Sequence, residues 1–364
     1  MKCLFLAPKR YPFIRSIEAG MKASGLDTLT VDYPDFFSPL INKAIRRFTS
    51  LPNKVKSTWE GPYNEKVNRQ YLEIYKEYKP DLVLIYNNQL VHPEFLEFIR
   101  SKSKIAFILG DNPLYSRTSL TNLHILFLSD YVISPDSLWQ EQLVRMGVKN
   151  VVLDFLGFSD EVYHPISVSD ADRQKYSSEF IFIGNVGKIN WGYKRLLFLN
   201  LFRDYDLKAY LTGGGIDRWL KYFPELKEKV QPHNRFDSAF NNLAYNCSKI
   251  APMEQVPSLF NGIHARVFDT LGAGILPLCE YSSDMERVFH GIDVPLIRNY
   301  NEVPELADYW LKNDLARKAI VERMRARATA DYSPTLMVQR MLNHLFMEKR
   351  HQSVLGQQTY TTQA

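Results

Sequence analysis

The chain has 364 residues, of which 45% are hydrophobic and 23% are charged. This length exceeds what one hydrophobic core usually supports, so we expect two domains of ordinary globular composition. The formal net charge of +5 is too small to indicate a partner such as nucleic acid. No apolar run reaches the length of a membrane span, and the apolar N-terminal run becomes polar at Lys9, so we expect a strand there and not an export signal.

The three cysteines are far apart in the sequence and show no C-x-x-C spacing. Cys3, Cys247 and Cys279 lie in apolar or nearly apolar runs. We therefore expect buried thiols in a reducing compartment and predict a cytoplasmic protein.

The first half of the chain alternates between strand-like and helix-like segments. Buried strands are predicted at 3–7, 28–31, 81–86, 104–109, 130–134 and 151–156. Helices are predicted between them at 13–24, 63–78, 93–101 and 137–146. The first strand-to-helix turn lacks the G-x-G-x-x-G fingerprint, which argues against a Rossmann-type dehydrogenase at this end.

One segment, 36–59, does not fit this alternation. It contains no acidic residue, and its apolar residues share one helical face while its polar positions are basic. Two interpretations remain open: an amphipathic patch that touches an anionic membrane or lipid-linked acceptor, or an insertion that packs its apolar face on the first domain.

The strand at 104–109 is followed directly by Gly110-Asp111-Asn112-Pro113. Parallel α/β folds place their chemistry at the carboxyl ends of strands, so Asp111 is a candidate catalytic base. The alternative is an Asx turn that starts at Asp111 and is braced by Pro113.

A polar segment without periodicity, 166–178, is predicted to link the two domains. A second series begins with a strand at 180–183 and the turn Gly184-Asn185-Val186-Gly187-Lys188, whose backbone N–H groups and lysine could hold a phosphate. The next helix carries Lys194 and Arg195, which either add positive charge there or lie on a solvated surface.

Further elements follow in the second half. A strand at 207–211 runs into Thr212-Gly213-Gly214-Gly215, which either lies against a nucleotide or connects elements flexibly. Helices are predicted at 219–230, 284–288, 303–311, 315–327 and 335–349, and the tail from Gln352 is polar.

The most informative stretch is Asn261–Pro277. Ile263, Val267 and Leu271 form an apolar helical stripe, while Arg266 and Asp269 lie toward the polar side. Glycines end this helix before a buried strand at 275–279. A carboxylate there could hold a ribose, and an arginine could hold a diphosphate, although an ordinary capped amphipathic helix would show the same pattern.

This stretch resembles the sugar-nucleotide helix of GT-B glycosyltransferases, and more narrowly that of the group related to the spore-maturation protein CgeB. That group has roughly R-x-F-E before its glycines, and this chain has Arg266-Val267-Phe268-Asp269. Retaining GT-B enzymes with an E-x7-E signature carry glutamate where this chain has Asn261 and Asp269. Because asparagine carries no charge, the ribose role transfers better to Asp269.

The resemblance implies a GT-B fold: two Rossmann-like β/α/β domains facing across a cleft, with a C-terminal helix crossing back to the N-terminal domain. The domains would be 1–165, with an insertion at about 36–60, and 166–334, followed by the crossing helix and tail, 335–364. It also implies sugar transfer from a nucleoside-diphosphate sugar, most readily UDP- or GDP-linked, to a hydroxyl on a glycan, a lipid-linked molecule or a protein. GT-B enzymes generally need no metal bound by a D-x-D motif, so we expect no metal and no cofactor.

The site residues implied by the resemblance fall into three groups. The catalytic residues would be Asp111, Arg266 and Lys188. The donor-binding residues would be Gly184, Asn185, Gly187, Thr212, Gly213, Asn261, His264 and Asp269. The acceptor side would comprise Lys9, Arg10 and Asn87.

Three alternatives remain open. A non-hydrolysing nucleotide-sugar epimerase shares this architecture. A non-catalytic nucleotide-sugar or carbohydrate-binding protein would explain the departures at Asn261 and Asp269. A Rossmann-type oxidoreductase would bind NAD(P) despite the missing fingerprint.

Overall fold

The computed structural model describes residues 1–48, 53–87, 89–114, 121–231, 237–256 and 258–347. The chain forms two compact units. The first comprises Met1–Ser134, Trp139–Asp154 and the chain from Thr335 onward, and the second comprises Pro135–Leu138 and Phe155–Pro334.

The first unit contains a parallel sheet of six strands. The strands are β1 (Lys2–Leu6), β2 (Asp27–Val31), β3 (Leu82–Tyr86), β4 (Lys104–Ile108), β5 (Tyr131–Ser134) and β6 (Val151–Leu153). They lie in the order β2-β1-β3-β4-β5-β6, and every pairing is parallel. The central strands read as continuous apolar runs because helices cover both faces of such a sheet.

The helices of the first series include several that begin at proline, whose fixed φ suits the first helical turn. They are α1 (Pro12–Ala23), α2 (Pro39–Phe48), α3 (Asn53–Tyr78), α4 (Pro93–Ile99), α5 (Thr121–Leu128) and α6 (Ser137–Arg145), with a 3-10 turn at Tyr33–Phe36.

The second unit repeats this plan with another six-stranded parallel sheet. Its strands are β7 (Ser178–Asn185), β8 (Leu207–Thr212), β9 (Val230–Gln231), β10 (Ser248–Met253), β11 (Leu276–Glu280) and β12 (Leu296–Ile297), in the order β12-β11-β10-β7-β8-β9. Its helices are α7 (Asp170–Tyr176), α8 (Asn190–Asn200), α9 (Ile216–Leu220), α10 (Ser238–Asn246), α11 (Ala265–Gly272), α12 (Ser283–Val288), α13 (Val303–Lys312) and α14 (Asp314–Asp331).

The last helix, α15 (Pro334–Leu342), continues into a π-helical turn at Asn343–Met347. Of the described residues, Thr335–Met347 belong to the first unit. Arg340 on this helix forms a two-pronged ion pair with buried Asp154, at 2.6 and 2.8 Å. The predicted fold class of two parallel-sheet Rossmann-like domains is confirmed.

Several element predictions were wrong. The supposed linker at 166–178 contains α7, whose first turn is capped by Ser169: its hydroxyl oxygen accepts a hydrogen bond from the Asp172 N–H. The helix predicted at 219–230 is split, because Pro224 starts a separate 3-10 turn before β9. Helices α5 and α10 were not predicted.

In each sheet, successive strands of the chain are added first on one side of the starting strand and then on its other side, and the strand order reverses at a switch point. In the first sheet it lies between β1 and β3, and in the second between β7 and β10. Open parallel sheets bind ligands outside the carboxyl ends of the strands at this switch point. The strand order thus marks one candidate site in each unit.

Candidate functional site

The switch point of the second sheet brings together two segments that are distant in sequence. Strand β7 ends at Asn185, and β10 ends at Met253, directly before Glu254. The two strands pair in parallel, so their carboxyl ends share one edge. Helix α11 also contributes to this edge, because Arg266 donates to the Ile183 carbonyl at 3.2 Å.

Glu254, Arg195 and Arg266 form a buried group that we call the arginine cluster. Arg266 Nη2 lies 3.2 Å from Glu254 Oε2, and Arg195 is paired with Oε1 of the same carboxylate. Only 2% of the Glu254 side chain is exposed, against 5% for Arg195 and 11% for Arg266. Arg195 also donates to the Asn185 carbonyl, which fixes it against the end of β7.

The arginine cluster carries more positive than negative charge. Two guanidinium groups face one carboxylate, and both lie over the Phe182 ring, at 4.6 Å for Arg266 and 5.4 Å for Arg195. Burial alone would raise the pKa of Glu254, but the two arginines hold it below its usual value. Burial lowers the pKa of Arg195 to about 10, despite the attraction of Glu254. Since burying unbalanced charge is costly, the cluster favours an additional anion.

His264 caps the first turn of α11 with its ring. Nδ1 accepts the Arg266 backbone N–H at 3.1 Å, so this nitrogen carries no proton and the neutral ring carries it on Nε2. Burial, followed by the nearby charges of Arg266 and Arg195, lowers the pKa of His264 well below its usual value. His264 is therefore a neutral hydrogen-bond donor beside the arginine cluster.

Asp269 lies on α11 close to one turn beyond Arg266 and is partly buried. Its carboxylate makes no hydrogen bond within the described part of the chain. Burial raises its pKa to about 7, and Arg266 opposes the shift. A carboxylate with open acceptor positions can bind hydroxyl groups, which is the chemistry that a ribose needs.

Asn261 is held by the short segment Pro135–Leu138 of the second unit. Its side-chain amide donates to Ser137 Oγ at 3.1 Å, and its backbone N–H donates to Asp136 Oδ2 at 2.9 Å. The Gly262 N–H shares that carboxylate oxygen at 2.8 Å. Asn261 thus anchors the turn before α11, and its proposed part in binding the donor stays a prediction.

Two glycine-bearing loops meet at the ends of β7 and β8. The Val186 N–H donates to the Thr212 carbonyl at 2.6 Å, and the Gly215 N–H donates to the Val186 carbonyl at 3.0 Å. A Cβ on Gly215 would lie 1.9 Å from the Gly187 carbonyl oxygen, so this approach requires glycine. The structure therefore brings the predicted loop residues together, but the Val186 N–H is already used and cannot serve a phosphate.

Lys188 is exposed at the tip of this loop pair. A Cβ on Gly214 would lie only 2.7 Å from Lys188 Cε. The Lys188 side chain therefore extends along the Thr212–Gly215 loop. Gly184 lies nearer the arginine cluster, since a Cβ there would be 3.2 Å from Arg266 Nη1. The structure thus places Gly184 and Asn185 with the cluster and Gly187 and Lys188 with the Thr212 loop.

The remaining predicted site residues lie in the first unit, at the carboxyl edge of its sheet. Asn87 Nδ2 donates to Asp111 Oδ2 at 2.5 Å. Lys9 forms an exposed ion pair with Asp35 at 2.8 Å, and Arg10 donates to the Tyr11 hydroxyl at 3.2 Å. Lys9 and Arg10 follow β1, Asn87 follows β3 and Asp111 follows β4, so these residues flank the switch point of the first sheet.

Sequence reasoning missed three residues at these edges. Arg195, for which a solvated surface position stayed open, is buried against Glu254, and Glu254 is not predicted as a site residue from the sequence. Asp32 directly follows β2, and its Oδ1 is buried with no hydrogen-bond partner within the described residues. Glu254 and Asp32 both come immediately after a strand, so the rule that selected Asp111 would also have found them.

Two D-x-D sequences occur in the chain, Asp204-Tyr205-Asp206 before β8 and Asp170-Ala171-Asp172 in the first turn of α7. The Ser169 hydroxyl donates to Asp172 Oδ2 at 2.7 Å, which completes the capped turn. The Asp170 and Asp172 carboxylates therefore stabilise the start of α7. Over the described ranges, no group of three acidic, histidine or cysteine side chains is placed to hold a metal ion.

A family model described as Glycosyl transferase-like matches residues 194–343. No curated protein sequence matches the chain. Within the part of the chain that the structure describes, no helix is both long and apolar enough to cross a membrane.

Solved structures with the same fold span nearly the whole chain. A sucrose-phosphate synthase from Thermosynechococcus elongatus has a TM-score of 0.66 at 13% identity, covering 96% of this chain and all of its own. Anabaena HepE in complex with UDP-glucose has a TM-score of 0.62 at 14% identity, and the match covers 95% of this chain and 100% of HepE. A putative UDP-N-acetylglucosamine 2-epimerase from Listeria monocytogenes has a TM-score of 0.58 at 12% identity, and the match covers 96% of this chain and 97% of the epimerase chain.

These comparisons do not confirm the narrower resemblance to the CgeB group. The chain has the GT-B fold, and its residues 194–343 match a family described as Glycosyl transferase-like.

Proposed function

We propose that the protein transfers a sugar from a nucleoside-diphosphate sugar to an acceptor hydroxyl, without a metal ion. The observation that carries this proposal is the arginine cluster, which holds unbalanced positive charge at the switch point of the second sheet. A leaving diphosphate develops negative charge as its bond to the sugar breaks, and preorganised cations stabilise that charge.

The residues would divide the work of binding the donor. Arg266, with Arg195 behind it, would face the diphosphate, and the exposed Lys188 would supply a third cation. His264 would donate its Nε2–H to the sugar or the phosphate, since its ring is neutral. Asp269 would accept hydrogen bonds from the ribose hydroxyls when it is ionised.

The donor is proposed to be UDP-linked in the first instance. HepE was solved with UDP-glucose and with UDP, and two other neighbours were solved with UDP and with UDP-2-fluoro glucose. At low identity those structures establish only the fold, so a GDP-linked donor is the competing choice for the same site.

Asp111 is proposed as the base on the acceptor side. The acceptor oxygen would bond to the anomeric carbon while its proton passes to Asp111. The bond from the anomeric carbon to the diphosphate would break, with its electron pair remaining on the diphosphate. Asn87 would orient the carboxylate, because it already donates to Oδ2.

The epimerase alternative has one observation in its favour, namely the similarity to a putative UDP-N-acetylglucosamine 2-epimerase. The family match at 194–343 favours transfer instead. A binding protein without turnover is the other alternative, because Asn261 and Asp269 replace the glutamates of the resembled signature.

The decisive experiment combines a thermal-shift panel with product analysis. UDP-, GDP-, ADP- and CMP-sugars are added to the full-length protein, and those that bind the folded state raise its melting temperature. The binding donor is then incubated with an acceptor panel, and the sugar-extended product is sought by mass spectrometry. Isomerisation of the donor alone would indicate the epimerase, and binding without any product would indicate the binding protein. No shift with any donor would contradict the proposal.

We also propose a peripheral contact with an anionic membrane surface through segment 36–59, by a protein that works in the cytoplasm. Leu40 is 80% exposed and Ile41 is 45% exposed on α2, and Lys43 is exposed on the same helix. Residues 49–52, and the side chains of Arg46, Arg47, Phe48, Lys54 and Lys56, lie outside the described residues. Apolar side chains beside lysine on one exposed helix suit the headgroup region of such a membrane.

A further inference from the structure

We infer that Lys194 and Glu280 form a positioning pair for the arginine cluster: they hold the backbone of Gln255 so that the cluster can bind a diphosphate. The two residues act through the cluster and do not touch the donor themselves. The inference rests on the proposed function, since it concerns how the same donor site is held in place.

The positioning pair ties together the ends of adjacent strands in the second sheet. Lys194 lies on α8, which follows β7, and Glu280 is the last residue of β11. Strand β10 lies between β7 and β11, and Gln255 follows its last residue by two positions. Lys194 Nζ lies 2.7 Å from Glu280 Oε2, so this ion pair spans the carboxyl end of β10.

The pair engages both polar groups of the Gln255 backbone. The Gln255 N–H donates to Glu280 Oε2 at 2.6 Å, and the Gln255 carbonyl accepts from Lys194 Nζ at 2.5 Å. The Tyr300 hydroxyl donates to Glu280 Oε1 at 3.0 Å, which holds the carboxylate from its other oxygen. Only 17% of the Glu280 side chain and 31% of the Lys194 side chain are exposed, so solvent screens this pair less than a surface pair.

The Gln255 side chain extends this network to the turn before α11. Its amide donates to the Gly262 carbonyl at 2.9 Å. Gly262 lies two residues before His264, whose ring caps the first turn of α11. Gln255 therefore links the end of β10 to the helix that carries Arg266.

A small cavity lies between the end of β10 and this turn. Residues of both segments line it, among them Gln255, His264 and Glu280. Because side chains do not fill this space, close packing alone does not set the distance between the two segments. The hydrogen bonds of Gln255 set it instead.

This distance decides how Glu254 meets the two arginines. Glu254 directly precedes Gln255 in the chain, and Arg195 directly follows Lys194 on α8. A shift of the Gln255 backbone would therefore move the Glu254 carboxylate against both guanidinium groups. Binding groups keep a productive geometry only when neighbouring contacts hold them in place.

The sequence leaves open a different role for Lys194, in which it adds positive charge for the diphosphate. In the structure its ammonium already donates to two oxygens, Glu280 Oε2 and the Gln255 carbonyl. The two roles predict opposite effects when Glu280 is replaced. If Lys194 bound the diphosphate directly, loss of the Glu280 charge would free it and strengthen binding, whereas loss of a positioning pair weakens binding.

The test measures the binding of UDP and of inorganic diphosphate to the full-length protein by titration calorimetry. Glu280→Met removes a negative charge near the cluster, which by electrostatics alone would strengthen the binding of an anion. We expect the opposite, namely binding of both ligands that is weaker by about fivefold or more, as for groups coupled in one hydrogen-bond network.

Further variants test whether the two residues act as one unit. Lys194→Met should give a similar loss, and the double variant should lose no more affinity than the weaker-binding single variant. Glu280→Gln keeps an acceptor for the Gln255 N–H and should recover part of the affinity. The matched control Lys318→Met removes an exposed lysine that pairs with Asp314 at 2.8 Å, and it should change neither affinity.

The outcomes separate this inference from the proposed function. If Glu280→Met binds inorganic diphosphate as tightly as the wild type or more tightly, or if the losses add in the double variant, the positioning pair is wrong while the donor site stands. A wild type that binds neither ligand contradicts the proposed function, and the inference falls with it. Each variant must keep the wild-type near-ultraviolet circular dichroism. If Glu280→Met does not, Glu280→Gln takes its place, and affinity equal to that of the wild type would overturn the inference.

Discussion

Arg266 Nη2 lies 3.2 Å from Glu254 Oε2, and the same carboxylate forms an ion pair with Arg195 through Oε1. The two arginines come from different helices, and Glu254 follows the strand that borders the switch point. One buried carboxylate thus positions two guanidinium groups at a ligand-binding edge. The proposed donor site depends on this arrangement.

Replacing Arg266 by alanine should weaken UDP binding. A charge-assisted hydrogen bond contributes about 1.5–3 kcal/mol, so the dissociation constant should rise at least about tenfold. Arg266→Lys should fall between wild type and alanine, because lysine keeps the charge and loses the planar fork. Titration calorimetry measures this, with Arg298→Ala, which removes an exposed arginine paired with Glu286, as the control. Equal affinities in all variants would exclude Arg266 from the donor site.

Replacing Glu254 by glutamine should destabilise the fold. The two buried arginines would lose their counter-charge, and breaking a buried ion pair in this way costs about 3–5 kcal/mol. Chemical denaturation should therefore show an earlier midpoint with an unchanged slope. Inorganic diphosphate should recover part of the loss by supplying negative charge. If the variant is as stable as the wild type, the negative charge of Glu254 does not stabilise the two buried arginines.

Donor binding should depend on pH through Asp269. Burial raises the pKa of Asp269 to about 7, so its carboxylate is mostly protonated at pH 6 and mostly ionised at pH 8. The ionised form accepts charge-assisted hydrogen bonds at both oxygens, whereas protonation turns one oxygen into a donor, so UDP affinity should rise between these values. Asp269→Asn should bind more weakly at pH 8 and flatten the profile. A profile that is unchanged in this variant would assign the titration to another group.

Asp32 should make the fold less stable as the pH rises. Burial, with the nearby charge of Asp35, raises its pKa from 3.8 to about 6. Because the folded state holds this proton more tightly than the unfolded chain, the stabilising contribution is full below about pH 4 and is lost as the pH rises to about 6. The free energy of unfolding should therefore fall by about 1–3 kcal/mol from this group across that range. The free energy of unfolding is measured by denaturation at pH 4, 5 and 7. Asp32→Asn should remove the contribution of this group to its pH dependence, and an unchanged pH dependence would contradict the assignment.

Membrane contact through α2 should depend on Leu40. The variant Leu40→Asp places a charge where an exposed apolar side chain would enter the headgroup region, so co-sedimentation with vesicles containing phosphatidylserine should decrease several-fold. Leu315→Asp is the matched control, because Leu315 is 85% exposed on α14 in the second unit. Absence of wild-type binding at low salt would exclude the contact.

Much of the fold followed from local patterns in the sequence. Buried strands such as β3 and β4 read as short apolar runs between polar turns, and α1 showed clear helical spacing. The weakly periodic α7 was missed because its formation depends on a capped polar turn and not on an apolar stripe. The break at Pro224 was missed because the flanking residues favour a helix on both sides.

The site was harder to predict, because its contacts join distant parts of the chain. Arg195 and Glu254 are 59 residues apart, and they meet only because β7 and β10 are neighbours in the sheet. Sequence spacing does not reveal the order of strands, so it could not show where the switch point lies. Arg266 and Asp269 were identifiable because both lie on one short helix, where spacing alone places them close together.

Hydrogen–deuterium exchange with and without saturating UDP tests the central claim most directly. Binding of the diphosphate at the arginine cluster should slow exchange in peptides that cover 183–188 and 263–270, and Arg266→Ala should abolish this protection. If UDP binds and protects neither segment, the arginine cluster is not the donor site.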